Sequence, residues 1–204
     1  MKATRSYVMR ARADAVADTR QRILQAAFDL SGERMSLEIV LGDIADRAGV
    51  SVQTILRHFG SREALFDAVA EFARGQIAAE RTAPAGDMAA AVHVIFSHYE
   101  TRGDAVLRFL AQELWDERAR ELTDRGRRMH RDWVRTVFAP QLDSRPQADR
   151  EALTDLLVVA TDVYTWKLLR RDRDLERTVA ERRVRDMIFA LLAAPQPAIS
   201  AQES

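Results

Sequence analysis

Apolar residues recur at three- and four-residue spacing along nearly all of this 204-residue chain, and no stretch alternates with period two between turn signals. The pattern predicts an all-α protein of about nine helices. The first spans 14–33, with Val16, Ile23, Ala27 and Leu30 along one stripe and Leu24 and Phe28 widening it. A short helix follows in which Leu41, Ile44, Ala45 and Ala48 share a face. Gly49 ends it, where glycine takes a left-handed backbone at least cost. Ser51 is placed to cap another short helix, 52–58, its hydroxyl accepting an otherwise unpaired backbone N–H. Val52, Ile55 and Phe59 fall on one side of that helix, and Gln53, Thr54 and Arg57 point away. Gly60 and Ser61 stop it, and a longer helix runs from Arg62 to about Arg81.

Pro84 and Gly86 then break the periodicity. Beyond them the spacing predicts helices over 87–100, 104–112, 114–138, 148–170 and 175–193, divided by Arg102-Gly103 and by a loop from Pro140 to Pro146. This organisation divides the chain into an N-terminal three-helix head, residues 1–62, and a C-terminal helical bundle, residues 63–204.

Two short helices joined by a turn containing glycine make a helix-turn-helix, whose second helix enters the major groove of DNA. Gln53 suits adenine and Arg57 guanine, while Thr54 suits a phosphate or a thymine methyl. Leu56 has two readings, contact with a thymine methyl or folding back onto the neighbouring helix, of which the second is preferred. Ser61 and Arg62 open the next helix, where unpaired N–H groups and the positive end of the dipole suit a phosphate. Thr19, Arg20 and Arg22 are placed either to touch the DNA backbone or to form a solvated face. The expected DNA-contact set is Thr19, Arg22, Ser51, Val52, Gln53, Thr54, Leu56, Arg57, His58, Ser61 and Arg62. Residues 1–13 hold Lys2, Arg5, Arg10 and Arg12 without an acid, which reads as an unstructured terminus or as a basic arm for phosphates or the minor groove.

Charge adds a little to this picture. The chain has zero formal net charge, but residues 1–62 carry ten basic against seven acidic side chains and residues 63–204 carry 21 against 24. The basic excess sits where phosphate contact requires it. With no cysteine there are no disulfides, thiolate metal sites or thiol chemistry, which fits a reducing compartment. No apolar run resembles a signal peptide or a membrane span, so the expectation is a cytoplasmic protein with no membrane association.

Ile44-Ala45, Ala48-Gly49-Val50-Ser51, Thr54, His58-Phe59-Gly60-Ser61 and Glu63-Ala64-Leu65 together resemble the DNA-binding domain of the TetR family of bacterial transcriptional regulators. Residues 19–30 resemble that family's first helix. Three positions depart from the family pattern: Leu56 replaces an aromatic, Arg62 replaces a lysine, and Val40-Leu41 replace a Ser/Thr helix start. Loss of the aromatic removes a phosphate contact. The resemblance implies a phosphate role for His58, a homodimer on a palindromic operator, and a small apolar or amphipathic effector bound in the C-terminal bundle. It also implies a repressor released by that effector.

On this reading the two amphipathic helices 148–170 and 175–193 pair with their copies in a second subunit through Leu156, Ala160, Val163, Met187, Ile188 and Leu191. Phe96, Tyr99, Phe109, Trp133 and Tyr164 are the candidate effector-pocket residues, although large apolar side chains in bundles are more often plain core. His93 and His98 stand about 140° apart on a helix and cannot share a metal ion. No phosphate loop, nucleophile elbow, HExxH or carboxylate pair stands out, so neither an enzyme nor a cofactor is expected. The alternative is a helical adaptor that keeps the fold without sequence-specific DNA binding, for which Leu56 is the main support.

Overall fold

The computed structural model describes residues 2–34 and 38–194, with side chains from residue 9 onward apart from that of residue 148. The described residues are all-α. They form α1 (Lys2–Glu33), α2 (Leu41–Ala48), α3 (Val52–Phe59), α4 (Arg62–Glu80), α5 (Met88–Gln112), α6 (Glu117–Val137), α7 (Ala139–Asp143), α8 (Gln147–Ala160), α9 (Val163–Lys167) and α10 (Arg177–Ala193). A π-helical turn, Leu168–Asp172, continues α9. No described helix is long and apolar enough to cross a membrane.

The chain divides into two compact units, Met1–Ile77 and Ala78–Ser204. The division falls near the end of α4, later than the expected 62/63, because Leu65 and Val69 of α4 belong to the core of the first unit. That core also holds Ile23, Ala27 and Leu30 of α1, Ile44, Ala45 and Ala48 of α2, and Ile55 of α3. Phe28 meets Phe72 edge to face at 5.9 Å. The first helix begins at Lys2 rather than at 14. Nothing between 2 and 31 is glycine or proline, and alanine and arginine favour helix, so the basic stretch continues the helix instead of forming a separate arm. Arg10, Arg12 and Val16 are exposed on it; the side chains of Lys2 and Arg5 lie outside the described residues.

In the second unit α5 packs on α6, α9 and α10, and α8 packs on α6 and α10. Val92, Ile95 and Phe96 meet Val134, Phe138, Leu153, Leu157, Trp166, Val184 and Ile188 in one core. Asp87, Asp116 and Asp162 cap α5, α6 and α9, each accepting a backbone N–H.

Three expectations from spacing are corrected here. Arg102-Gly103 is no break, and α5 runs through it. Gly103 is present because the Trp166 ring lies so close that a β-carbon would stand 2.5 Å from it. Gly103→Ala should therefore destabilise by about 1–3 kcal/mol, the usual range for overpacking, measurable by urea unfolding. The helix expected over 148–170 is broken at Thr161-Asp162, where the Thr161 hydroxyl donates back to the Leu157 carbonyl at 2.7 Å and Asp162 starts α9. The expected loop from 140 to 146 contains α7, with Pro140 in its first turn, where a missing N–H costs nothing.

Candidate nucleic-acid interface and a buried polar cluster

The turn between α2 and α3 follows from three residues. Gly49 has φ +65°, and its N–H donates to the Asp46 carbonyl at 3.2 Å while that of Val50 donates to Ala45 at 3.0 Å. These bonds satisfy the last carbonyls of α2. Ser51 then accepts the Thr54 backbone N–H at 3.1 Å and starts α3. Ile55, fully buried, pins α3 to the core.

With Ile55 inward, Val52, Gln53, Leu56 and Arg57 are exposed, at positions i, i+1, i+4 and i+5 that share one face. Leu56 is 39% exposed and Val52 38%, so part of each side chain is open on this face. Two apolar and two polar side chains thus stand together on the reading face, a set that fits thymine methyls beside base-edge acceptors and donors. Thr54 and His58 are half-buried at its flank, with the Thr54 hydroxyl 3.0 Å from that of Ser51.

The flanking residues have more structural work than their sequence positions suggest. Arg22 donates to the Ala48 carbonyl at 2.7 Å, tying α1 to the end of α2, and the Thr19 hydroxyl donates to Ala15. The Arg20 guanidinium lies over Phe59, 4.4 Å from the ring centre. Arg62 donates to the Ile39 carbonyl at 3.1 Å and covers the Phe66 ring, so its guanidinium is engaged within the head. Ser61 caps α4 by accepting from Ala64 at 3.1 Å. Val40 offers no side-chain cap to α2; Asp43 accepts the Val40 N–H instead, at 3.4 Å.

In the second unit the expected pocket residues differ in burial. Phe96 and Tyr99 are buried in the core and Trp133 packs against it. Phe109 is half-buried, and Tyr164 is 57% exposed. Of the expected interface residues, Ala160, Val163 and Ile188 are buried in their own chain's core, and Leu191 packs against it. Outward on the same helices stand Leu156 and Met187, together with Val159 and Phe189, which periodicity did not single out; Phe189 is 66% exposed.

The second unit also holds a buried polar cluster that no sequence motif marks. Arg81, directly after α4, is buried, and its guanidinium lies 5.6 Å from the centre of the Tyr99 ring. Trp133 donates to the Arg81 carbonyl at 2.7 Å and stacks on His130. Arg81 Nε and Nη1, His98 Nε2 and His130 Nδ1 are buried with no hydrogen-bond partner among the described residues. Glu80 bonds His98 Nδ1 at 2.8 Å and Arg102 at 2.5 and 2.9 Å. Burial pushes the Glu80 carboxyl up, but the hydrogen bonds from Arg102 and His98 outweigh it and hold it below its ordinary value.

Burial, followed by the Arg81 charge, lowers both His98 and His130 to about 3. Both are therefore neutral in the folded protein, whereas an unfolded histidine titrates near 6.5. Between those values the unfolded chain binds two protons that the folded chain does not, so stability falls as pH falls. Going from pH 6.5 to 4.5 should cost on the order of 5 kcal/mol. Unfolding curves across that window check this, and His98→Gln/His130→Gln should flatten the dependence.

Residues 23–69 match the family model described as bacterial regulatory proteins, tetR family. Among solved structures, a tetR-family transcriptional regulator from Streptomyces coelicolor is 21% identical, with a TM-score of 0.64 over 84% of this chain and 81% of that one. GusR of Salmonella enterica is 18% identical, with a TM-score of 0.65 over 86% of this chain and 96% of its own. A transcriptional regulator from Rhodococcus sp. Rha1 is 19% identical, with a TM-score of 0.62 over 85% and 95%. At these identities the structural likenesses speak for the fold. No curated protein matches the chain.

Proposed function

We propose, for a chain whose head is that of the TetR family and whose fold is that of TetR-family regulators, a cytoplasmic transcriptional repressor that binds a palindromic operator as a homodimer and leaves it when an effector binds the second unit. The observation that carries this reading is the exposed face of α3, where Gln53 and Arg57 stand beside Val52 and Leu56 on a helix fixed by Ile55 and capped by Ser51. A reading helix of eight residues touches few bases. Two-fold pairing doubles the contacts at half-sites about one DNA turn apart.

Leu156, Val159, Met187 and Phe189, the apolar residues left outward on α8 and α10, are the support for pairing through those helices. An effector that favours a conformation with misplaced reading heads must weaken DNA binding by the factor by which DNA weakens effector binding, typically about 5- to 150-fold. The head's similarity to a regulator family and its exposed reading face favour DNA binding over an adaptor role.

Selection of random duplexes on the purified protein, at two salt concentrations, tests the reading. The expected product is a palindromic motif. Binding that enriches no sequence and fades smoothly with salt would leave only phosphate attraction and overturn it.

A further inference from the structure

The geometry points to a binding site around Arg81 for a small organic acid carrying a carboxylate, a hydroxyl group and an apolar body. This rests on the effector-responsive regulator reading and names the chemistry of its ligand.

The first ground is the guanidinium itself. Arg81 is 7% exposed, and two of its nitrogens are buried without a hydrogen-bond partner among the described residues. An arginine cannot shed its charge, and a buried donor left unpaired is costly. The surrounding acids do not resolve this. Glu80 is committed to His98 and Arg102, and Asp162 caps α9 through the Tyr164 N–H at 2.8 Å. Neither makes an ion pair with Arg81 among the described contacts. Tyr99 meets the guanidinium with its ring, 5.6 Å from the ring centre. Nε–H and Nη1 lie on different edges of the guanidinium, so a carboxylate accepting from one of them answers the charge and a second ligand oxygen, such as a hydroxyl, is needed to accept from the other.

The second ground is the pair of histidines, which supply acceptors rather than donors. The ionised Glu80 carboxylate fixes the His98 proton on Nδ1, leaving Nε2 as a bare lone pair. The Thr161 hydroxyl spends its proton on the Leu157 carbonyl at 2.7 Å, so its oxygen accepts from His130 Nε2 at 3.2 Å. His130 Nδ1 is then a second bare lone pair. Burial holds both rings neutral, so these lone pairs persist through neutral pH. Two donors on Arg81 and two acceptors on His98 and His130 ask for a ligand with the opposite set, an acceptor carboxylate and at least one hydroxyl donor.

The third ground is the apolar surround. The Tyr99 and Trp166 rings lie 6.0 Å apart centre to centre, and Trp133 stacks on His130. Such rings suit an aromatic or acyl body. The Tyr99 ring lies 5.4 Å from the His98 ring and 5.6 Å from the Arg81 guanidinium, and Trp133 both bonds the Arg81 carbonyl and stacks on His130, so the three groups share one region.

Tryptophan fluorescence and calorimetric titration of the full chain test the site with matched probes. Mandelate, 4-hydroxybenzoate and 3-hydroxyoctanoate carry all three features; their amides lack the charge, and phenylacetate, benzoate and octanoate lack the hydroxyl. At least one hydroxy acid should bind saturably, its amide and its deoxy partner each roughly tenfold or more weaker. Arg81→Gln should erase the preference for acid over amide. It should also leave the unliganded protein as stable or more so, since it removes a buried charge, whereas a purely structural Arg81 would make that variant less stable. Equal binding of acid and amide to the natural chain, or binding by no probe at millimolar concentration, overturns the site without any variant. A recovered palindrome with no acid binding would sink this inference and spare the regulator. Acid binding that leaves operator affinity unchanged would spare the site and sink effector control.

Discussion

On the proposed reading of α3, the protein with Gln53, Thr54 and Arg57 all replaced by alanine keeps its fold and loses sequence-specific DNA binding. Gln53 and Arg57 are exposed on α3, and alanine is the best helix former, so the change in stability should stay within about 0.5 kcal/mol. The cap of α3 survives, because Ser51 accepts the backbone N–H of residue 54 whatever its side chain. What is removed is base readout. A paired side-chain contact to a base is worth about 1–3 kcal/mol, and a two-fold complex uses each one twice. Affinity for the selected operator should therefore fall on the order of a thousandfold, to the level of random duplex, with the residual binding steeply salt-dependent. Circular dichroism and light scattering establish that fold and assembly are intact; competition titration against random duplex reads the loss. Retained preference for the operator would show that the specificity lies elsewhere than on α3.

The second large effect is expected at Phe189. If the chain pairs through α8 and α10 as proposed, Phe189→Glu should leave it monomeric at micromolar concentration while the monomer stays folded. The side chain is two-thirds exposed in the isolated chain, so glutamate there disturbs no core, unlike a change at Ile188, which is fully buried beside it. In a two-fold interface the substitution enters twice, placing charge where an aromatic anchor would pack. A loss of roughly 2–4 kcal/mol per hot-spot residue weakens association by several hundredfold or more. Sedimentation across a concentration series measures it, and Val159→Glu should act in the same direction. A Phe189→Glu protein that sediments unchanged would move the interface off the α8 and α10 face.

The head was legible in the sequence because its determinants are local. Gly49 needs a positive φ, Ser51 caps the helix that follows it, and Ile55 is buried one turn on; each is settled within a few residues. The match of residues 23–69 to a family model rests on the same short-range pattern. Leu56 keeps two readings in the sequence because spacing gives only the angle between side chains, and its 39% exposure depends on how far α3 stands from its neighbours. Gly103 was read as a break on its identity, whereas its role depends on Trp166, more than sixty positions away in sequence.

The sequence by itself determined an all-α chain, the turn geometry of the head and the residues available for DNA on α3, since backbone preference, capping and helical periodicity act within one or two turns. Tertiary structure decided which face each bundle helix turns inward. The wide apolar faces of α8 and α10 tolerate several rotations, and only packing assigns Ile188 to the core and Phe189 to the surface. It also decided that Arg81, on its identity an ordinary surface residue, is buried among Tyr99, His98 and His130, because those neighbours come from helices far apart in the chain.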